Sequence, residues 1–392
     1  MKKGWETKTI GDVCEFQRGL TYAKGDEVDV SDNVVLRATN IDLTTNQLIF
    51  DELKYINDKV VVPGSKKVKK GSLMICTASG SKSHLGKVAF IDDDYGYAFG
   101  GFMGMLTPRN GLSPKYLFHL LTSEAYKDFI GALSDGANIN NLTFDNLKRF
   151  PVPVPPLPEQ QRIVGILDKA FAGIATAKAN AEKNLQNARA IFESHHNSIF
   201  SHRREDWGEK PLGEVCEYVN GKAHERCIDE AGRFIVINSK FISTDGEVFK
   251  RSNDALLLLQ AGEIAMVLSD VPNGKALAKC FLVEEANTYT LNQRICLIRS
   301  TKFHTKFLFY QLNRNRHFLS FDNGGNQTNM RLNQVLSCPL FLPPLAEQET
   351  IADTLDALTE ETERLASLYE QKLAALDALK KSLLHQAFTG QL

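Results

Sequence analysis

The line PVPVPPLPEQQRIVGILD at residues 151–168 returns as PLFLPPLAEQETIADTLD at residues 339–356. Both copies share Pro-Pro-Leu-x-Glu-Gln, then Ile three residues later, then Leu-Asp. A self-repeat constrains architecture more than any local propensity, because each copy must fold as the same unit. Pro158 suits the first turn of a helix, where its missing N–H leaves no bond unmade. Each copy therefore opens a helix.

A second block repeats upstream. Trp5, Lys8, Gly11, Val13, Cys14, Glu15 and Gly19 match Trp207, Lys210, Gly213, Val215, Cys216, Glu217 and Gly221 at a separation of 202 residues, with Phe16 answering Tyr218. The Pro-Pro pairs are separated by 188, and that spacing carries Leu185, Ile191 and Phe200 onto Leu373, Leu379 and Phe388. The copies therefore diverge between these landmarks. The pattern is a constant frame around a variable insert, which predicts two like shells about a pseudo-twofold axis with two unlike tips.

At 392 residues the chain suits two to three domains of roughly 100–200 residues each. No run of about 18 apolar residues signals a membrane span, and Met1 to Glu6 lack the apolar stretch of a signal peptide. The expected location is cytoplasmic. Seven cysteines lie scattered, with no Cys-x-x-Cys pair, which reads as reduced buried thiols rather than a metal site. The net charge is −1, and residues 346–392 hold 9 acidic against 4 basic groups. The rest is close to neutral with local basic clusters. That excludes a polycation binding by charge neutralisation alone, but not a selective reader with modest phosphate contacts.

Along the chain, residues 34–37, 71–76 and 87–91 read as strands, with a Gly/Ser-rich turn at 79–86. Residues 113–133 read as a helix capped by Ser113 with Pro114 at its first position. The second copy repeats the order: strands at 234–237 and 262–267, a turn at 269–274, a helix at 305–318. The helices opened by the repeated motif span about 158–200 and 346–388. In the later one, Ile351, Leu358, Leu365, Lys372 and Leu379 alternate with Leu355, Thr362, Tyr369, Leu376 and Leu383 in heptad spacing. The earlier one answers with Ile163, Ala170, Ala177, Asn184 and Ile191, beside Leu167, Ile174, Ala181, Ala188 and His195. Small residues facing large ones predict that the two helices pack closely on each other; the alternative is that each covers only its own domain. Asn184 and Lys372, as polar seam positions, are expected either to fix register or to be solvated.

This two-copy frame resembles the specificity subunit of type I restriction-modification systems, over nearly the whole chain. The most specific pieces are Pro155 to Gln160, Pro343 to Gln348 and the terminus Leu383 to Gly390; Trp5 to Gly11 and Trp207 to Gly213 look like openings of that family's target-recognition domains. The resemblance implies an α+β fold: two similar mixed α/β target-recognition domains (1–157 and 207–345) and two long antiparallel spacer helices (158–206 and 346–392). It implies a non-catalytic reader of a bipartite asymmetric DNA target, one half-site per domain. It also implies two methyltransferase subunits and motor-nuclease subunits as partners, with S-adenosylmethionine, ATP and Mg bound by them and no cofactor on this chain. A two-headed protein-interaction scaffold, and an enzyme with a fused reader, are the alternatives.

Base reading needs Arg or Lys for guanine and Asn or Gln for adenine. The first domain offers Thr77, Ser79, Ser81, Lys82, His84 and Lys87 in a loop, Arg37 and Asn40 after a strand, and Asn140 and Asn141 beside a glycine. The second offers Ser269, Asp270, Asn273 and Lys275, then Asn238 and Lys240, Gln293 and Arg294, and Gln327, Thr328 and Asn329. A polar solvated turn or a helix cap is the competing account of each. Lys66, Lys67, Lys69 and Lys70 can touch phosphates or form a solvated run. No Asn/Asp-Pro-Pro-aromatic tetrapeptide is present, and Gly100 to Gly104 lacks the Lys-Ser/Thr of a phosphate-binding loop. Nothing in the sequence supports a methyl-transfer or nucleotide-hydrolysis centre.

Overall fold

The computed structural model describes residues 4–134, 141–201, 207–270, 276–322 and 327–392. Its contacts divide it into two compact units: Met1–Lys183 with Tyr369–Leu392, and Asn184–Leu368. Each holds the beginning of one long helix and the end of the other. The helices are Leu157–Ser201 and Leu345–Thr389, 45 residues each.

The first unit is closed by an antiparallel pair, Glu6–Thr9 with Pro151–Val154. Two strands need only one bonded edge each, so Pro151 and Pro153 fit there without breaking a ladder. A four-stranded antiparallel sheet runs in the order Cys14–Arg18, Met103–Pro108, Leu73–Cys76, Val88–Phe90. A second sheet ends with Asn33–Leu36 parallel to Ala98–Phe99. The second unit repeats this plan. Gly208–Pro211 pairs with Pro339–Leu342. Its four-stranded sheet runs Glu217–Asn220, Ile295–Arg299, Ile264–Val267, Cys280–Leu282, and Phe234–Ile237 lies parallel to Tyr289–Leu291. The central strands Leu73–Cys76 and Ile264–Val267 are buried at every position, hence their unbroken apolar sequence.

The helix expected over 113–133 is two: Pro114–Leu120 and Glu124–Ser134. Thr122 and Ser123 interrupt it by turning their hydroxyls back to the His119 and Leu120 carbonyls, a local bond that competes with the helix ladder. The helix expected over 305–318 likewise ends at Leu312, and a new turn, Arg316–Leu319, starts under the Asn315 cap. Ser113 is the N-cap residue, but its side chain does not cap.

Within each unit the two long helices share one core. In the first, Ile163 and Leu167 are buried in the same cluster as Leu384 and Ala387, and Tyr116 packs edge-on against Phe388 with centroids 5.2 Å apart. In the second, Ala352 joins Leu340 and Phe307, and Phe200 lies 5.8 Å from Phe307. Phe200 and Phe388 are frame equivalents, so each helix ends on the other copy's aromatic. The first unit shows the direction directly: Arg162 donates to the Leu392 carbonyl (2.8 Å), Lys178 meets Asp377 (2.7 Å) and Lys380 lies over Phe171. Numbers rise along one helix as they fall along the other: the seams predict the pairing, and its antiparallel sense is the one the resemblance implies.

One seam of each helix is the better buried. Leu167, Ile174, Ala181 and Ala188 are buried throughout, as are Leu355 and Thr362. Asn184, Ile191, His195, Lys372 and Leu379 are exposed, so the register role for Asn184 and Lys372 is withdrawn. A straight helix has 3.6 residues per turn, and a seven-residue stripe drifts around it by about 20° per heptad. Burial passes accordingly to the next column: Phe192, His196 and Phe200 in one helix, Leu384 and Ala387 in the other.

All seven cysteines are free. Burial pushes the frame-equivalent thiols of Cys14 and Cys216 up to about 12, which suits packing groups rather than reactive ones. Among the described residues, no helix is long and apolar enough to cross a membrane.

Candidate nucleic-acid interface

The strand directions bring one set of loop ends together in each unit. In the first, the turn Gly100–Phe102 links the two sheets, and the chain holds it from several sides. Gly19 N–H donates to the Met103 carbonyl (3.1 Å), Leu20 N–H to Phe99 (2.7 Å) and Gly100 N–H to Leu36 (2.9 Å). The Phe102 carbonyl accepts from the N–H groups of Thr77 (2.9 Å) and Ala78 (3.1 Å), and from the Thr77 hydroxyl (2.9 Å). In the second unit the same mesh surrounds Asn292–Arg294. Gly221 N–H donates to Ile295 (2.9 Å), Lys222 to Leu291 (2.9 Å), Asn292 to Ile237 (3.0 Å) and Leu268 to Arg294 (3.0 Å).

This explains the frame glycines. A Cβ on Gly19 would collide with the Gly100 carbonyl, and one on Gly221 with the Asn292 carbonyl. Gly101–Phe102 and Gln293–Arg294 are therefore equivalent tips, each held by the same pattern of backbone hydrogen bonds in its own unit.

Asn141 and Asn329 are equivalents as well. Asn141 bridges Ala78, and Asn329 pairs with Ser269; both side chains are exposed. Around the first tip stand Arg18, whose guanidinium lies 5.4 Å from the Phe144 ring centre, and Lys66, whose ammonium holds the Arg18 carbonyl (2.8 Å). A cavity of about 510 Å³ opens beside it, lined in part by Leu20, Tyr22, Arg37, Ala38, Phe102 and Met103. Arg37 Nε is buried without a hydrogen-bond partner.

The sequence candidates fall into three groups. Some side chains are used by their own domain. Asn40 is 1% exposed; it accepts the Arg37 N–H and donates to the Ile49 and Glu52 carbonyls. Lys87 is 9% exposed and donates to the Ile41 carbonyl (2.6 Å), its pKa lowered by burial. Asn238 caps the helix Ser239–Ser243 by accepting from Phe241 N–H. Thr77 is engaged as above. Thr328 donates to Asp322 (2.9 Å), Ser269 accepts from Gln327 (2.9 Å), and Asp270 accepts from the N–H groups of Ala276 and Leu277. Burial and neighbouring Lys87 lower the pKa of His84, whose Nδ1 is buried without a partner.

Others present themselves at the surface. Arg294, Lys240, Ser81, Asn141, Gln327 and Asn329 are exposed, and Ser79 and Arg37 half-buried. Gln293 is exposed and donates to Glu225 (3.1 Å). Asn140, Asn273 and Lys275 lie outside the described residues, as does the side chain of Lys82. Phe102 and Arg18 were not among the sequence candidates; the structure places both at the first tip. Phe102 stands where Gln293–Arg294 stand, a match that appears only once the hydrogen-bond mesh aligns the inserts.

The chain is similar to known proteins in sequence and in fold. The family described as type I restriction modification DNA specificity domain matches residues 2–186 and 204–371. The StySPI specificity subunit of Salmonella potsdam is 27% identical over 435 aligned positions, covering 100% of this chain and 90% of that protein. The EcoKI specificity subunit of Escherichia coli (strain K12) is 32% identical over 189 positions, covering 47% of this chain and 39% of that protein. In fold, a chain solved in work on assembly and conformational transition of the type I R-M system superposes with a TM-score of 0.82 at 18% identity, covering 100% of this chain and 99% of that one. The HsdS subunit from Thermoanaerobacter tengcongensis gives 0.65 at 18% identity, over 100% of this chain and 98% of that one. The chain belongs to the family of non-catalytic specificity subunits of type I restriction-modification systems.

Proposed function

We propose that the chain reads a split, asymmetric double-stranded DNA target, one half-site per recognition domain. Residues 1–157 and 207–345 are the two readers; residues 158–206 and 346–392 set the spacer and carry two methyltransferase subunits. Motor-nuclease subunits join for cleavage, and S-adenosylmethionine, ATP and Mg act on those partners.

One observation supports this most: the same backbone mesh carries Gly101–Phe102 in one unit and Gln293–Arg294 in the other. A held backbone with exchanged tips suits a reader, because recognition depends on which groups meet the base edges. We assign base or phosphate contact in the first domain to Arg37, Ser79, Ser81, Lys82, Asn140 and Asn141. In the second we assign it to Lys240, Asn273, Lys275, Gln293, Arg294, Gln327 and Asn329. Arg18 and Lys66 add phosphate contact, which positions without specifying.

Methylome sequencing of cells carrying this chain and its partner methyltransferase tests the reading. One bipartite motif with a fixed spacer is expected. A single contiguous motif, or no methylation that depends on the chain, contradicts it.

A further inference from the structure

The turn that carries Gln293 and Arg294 in the second domain carries an exposed aromatic in the first. Phe102 is 73% exposed, and no ring or cation packs on its face among the described residues. Single exposed apolar side chains are ordinary, but this one stands at the position equivalent to Arg294 on a firmly held backbone: three hydrogen bonds converge on the Phe102 carbonyl alone. The ring cannot donate or accept a conventional hydrogen bond, so it cannot read a donor-acceptor pattern. The one apolar feature that base edges present in the major groove is the thymine C5-methyl group. Cations suited to flanking phosphates stand nearby: Lys24 and Arg18 each line a cavity with Phe102, and Lys66 holds the Arg18 carbonyl. The exposed amide of Asn141 lies beside the turn through its Ala78 bridge, as an adenine reader would next to a thymine contact.

We propose that Phe102 is a specificity-determining residue of the first half-site and reads one thymine by its methyl group. This rests on the proposed function above and names a contact within the same face. It differs from a wedge between base pairs, which would stabilise bound DNA whatever methyl groups it carried.

The test uses the full chain with its methyltransferase subunits and duplexes of the methylome-defined target. Each thymine of the first half-site is replaced in turn by deoxyuridine, which lacks only the methyl. Wild type is expected to lose affinity on the order of fourfold at one position, the effect of a single methyl taken out of water. Phe102→Ala is expected to bind the thymine target more weakly by at least that factor, and to show no further loss with deoxyuridine at that position. Substitutions in the second half-site should affect wild type and variant alike. Phe102→Leu, which keeps an apolar tip, should retain part of the uridine penalty.

Unchanged affinity in Phe102→Ala overturns the assignment, and so does a uridine penalty that persists in the variant. A wild-type complex with no sequence preference would overturn the proposed function itself; a selective wild type with an indifferent Phe102→Ala overturns only this inference.

Discussion

Gln160 Oε1 accepts the backbone N–H of Ser113 at 2.7 Å, and Gln348 Oε1 accepts that of His304 at 2.8 Å. The two glutamines close the repeated Pro-Pro-Leu-x-Glu-Gln motif and are 0% and 1% exposed. Gln160 Nε2 also donates to the Gly111 and Pro155 carbonyls, and Gln348 Nε2 to Pro343. Each side chain thus ties the start of a long helix to the start of the short helix packed beside it. Gln160→Ala should destabilise the protein by about 3 kcal/mol or more, because it strands three backbone groups that cost about 1–3 kcal/mol each. Gln348→Ala should cost less, having fewer partners. Chemical denaturation checks both; a loss under about 0.5 kcal/mol for Gln160→Ala, the usual range of a surface change, would contradict the account.

The repeated Leu-Asp has a matching role with one difference between copies. Asp168 is held by Lys115 (2.9 Å) and His119 (2.8 Å); Asp356 is held by Lys306 and by the Tyr310 hydroxyl (2.6 Å). Burial lowers the His119 pKa despite the opposing pull of Asp168. The unfolded imidazole takes a proton at about pH 6.5, the folded one only at lower pH. Below about 6.5 the unfolded chain therefore holds more protons, and stability falls as pH falls. Asp168 adds in the same direction at lower pH: burial would raise its pKa, but Lys115 and His119 bring it below the ordinary value. His119→Tyr copies the second unit. Between pH 7.5 and 5.5 its melting temperature should drop less than that of wild type; equal drops would refute the role of His119.

Gly19→Ala and Gly221→Ala should each destabilise by about 1–3 kcal/mol, since the added carbon overlaps a backbone carbonyl in a turn that hydrogen bonds hold in place. Alanine at Gly25, where nothing lies within reach of a Cβ, serves as the control. Thermal unfolding that shows all three alike would remove the close approach as the reason for the frame glycines.

Arg294→Ala should relax specificity at one base pair of the second half-site and leave the first unchanged. A bidentate guanine contact is worth about 1–3 kcal/mol of discrimination. Methylome sequencing of the variant should show one degenerate position in one half of the motif. Uniform weakening across sequences would assign Arg294 to phosphate instead.

The frame was legible in the sequence because duplication prints it twice: Trp5 to Gly19, the Pro-Pro-Leu motif and the helix ends recur at fixed separations. The long helices were legible from their apolar columns, although the drift that exposes Asn184 and Lys372 follows from geometry that a heptad count ignores. The loop candidates were less so. Asn40, Asn238 and Lys87 are polar residues near strand ends, as readers would be, but their partners are backbone groups 3 to 46 positions away in the chain. Composition does not reveal which polar group is satisfied internally. Phe102 was hidden for the opposite reason: an apolar residue between glycines looks like core until the sheet order puts it at the tip.

The most direct test of the central claim lengthens the spacer helices. Four residues inserted between Ala179 and Asn180, with four more at the equivalent point between Ser367 and Leu368, add about 6 Å to each helix. Methylation mapping should then recover the same two half-sites separated by one or two more base pairs. The original spacer, methylated as efficiently as before, would contradict the claim that these helices set the distance.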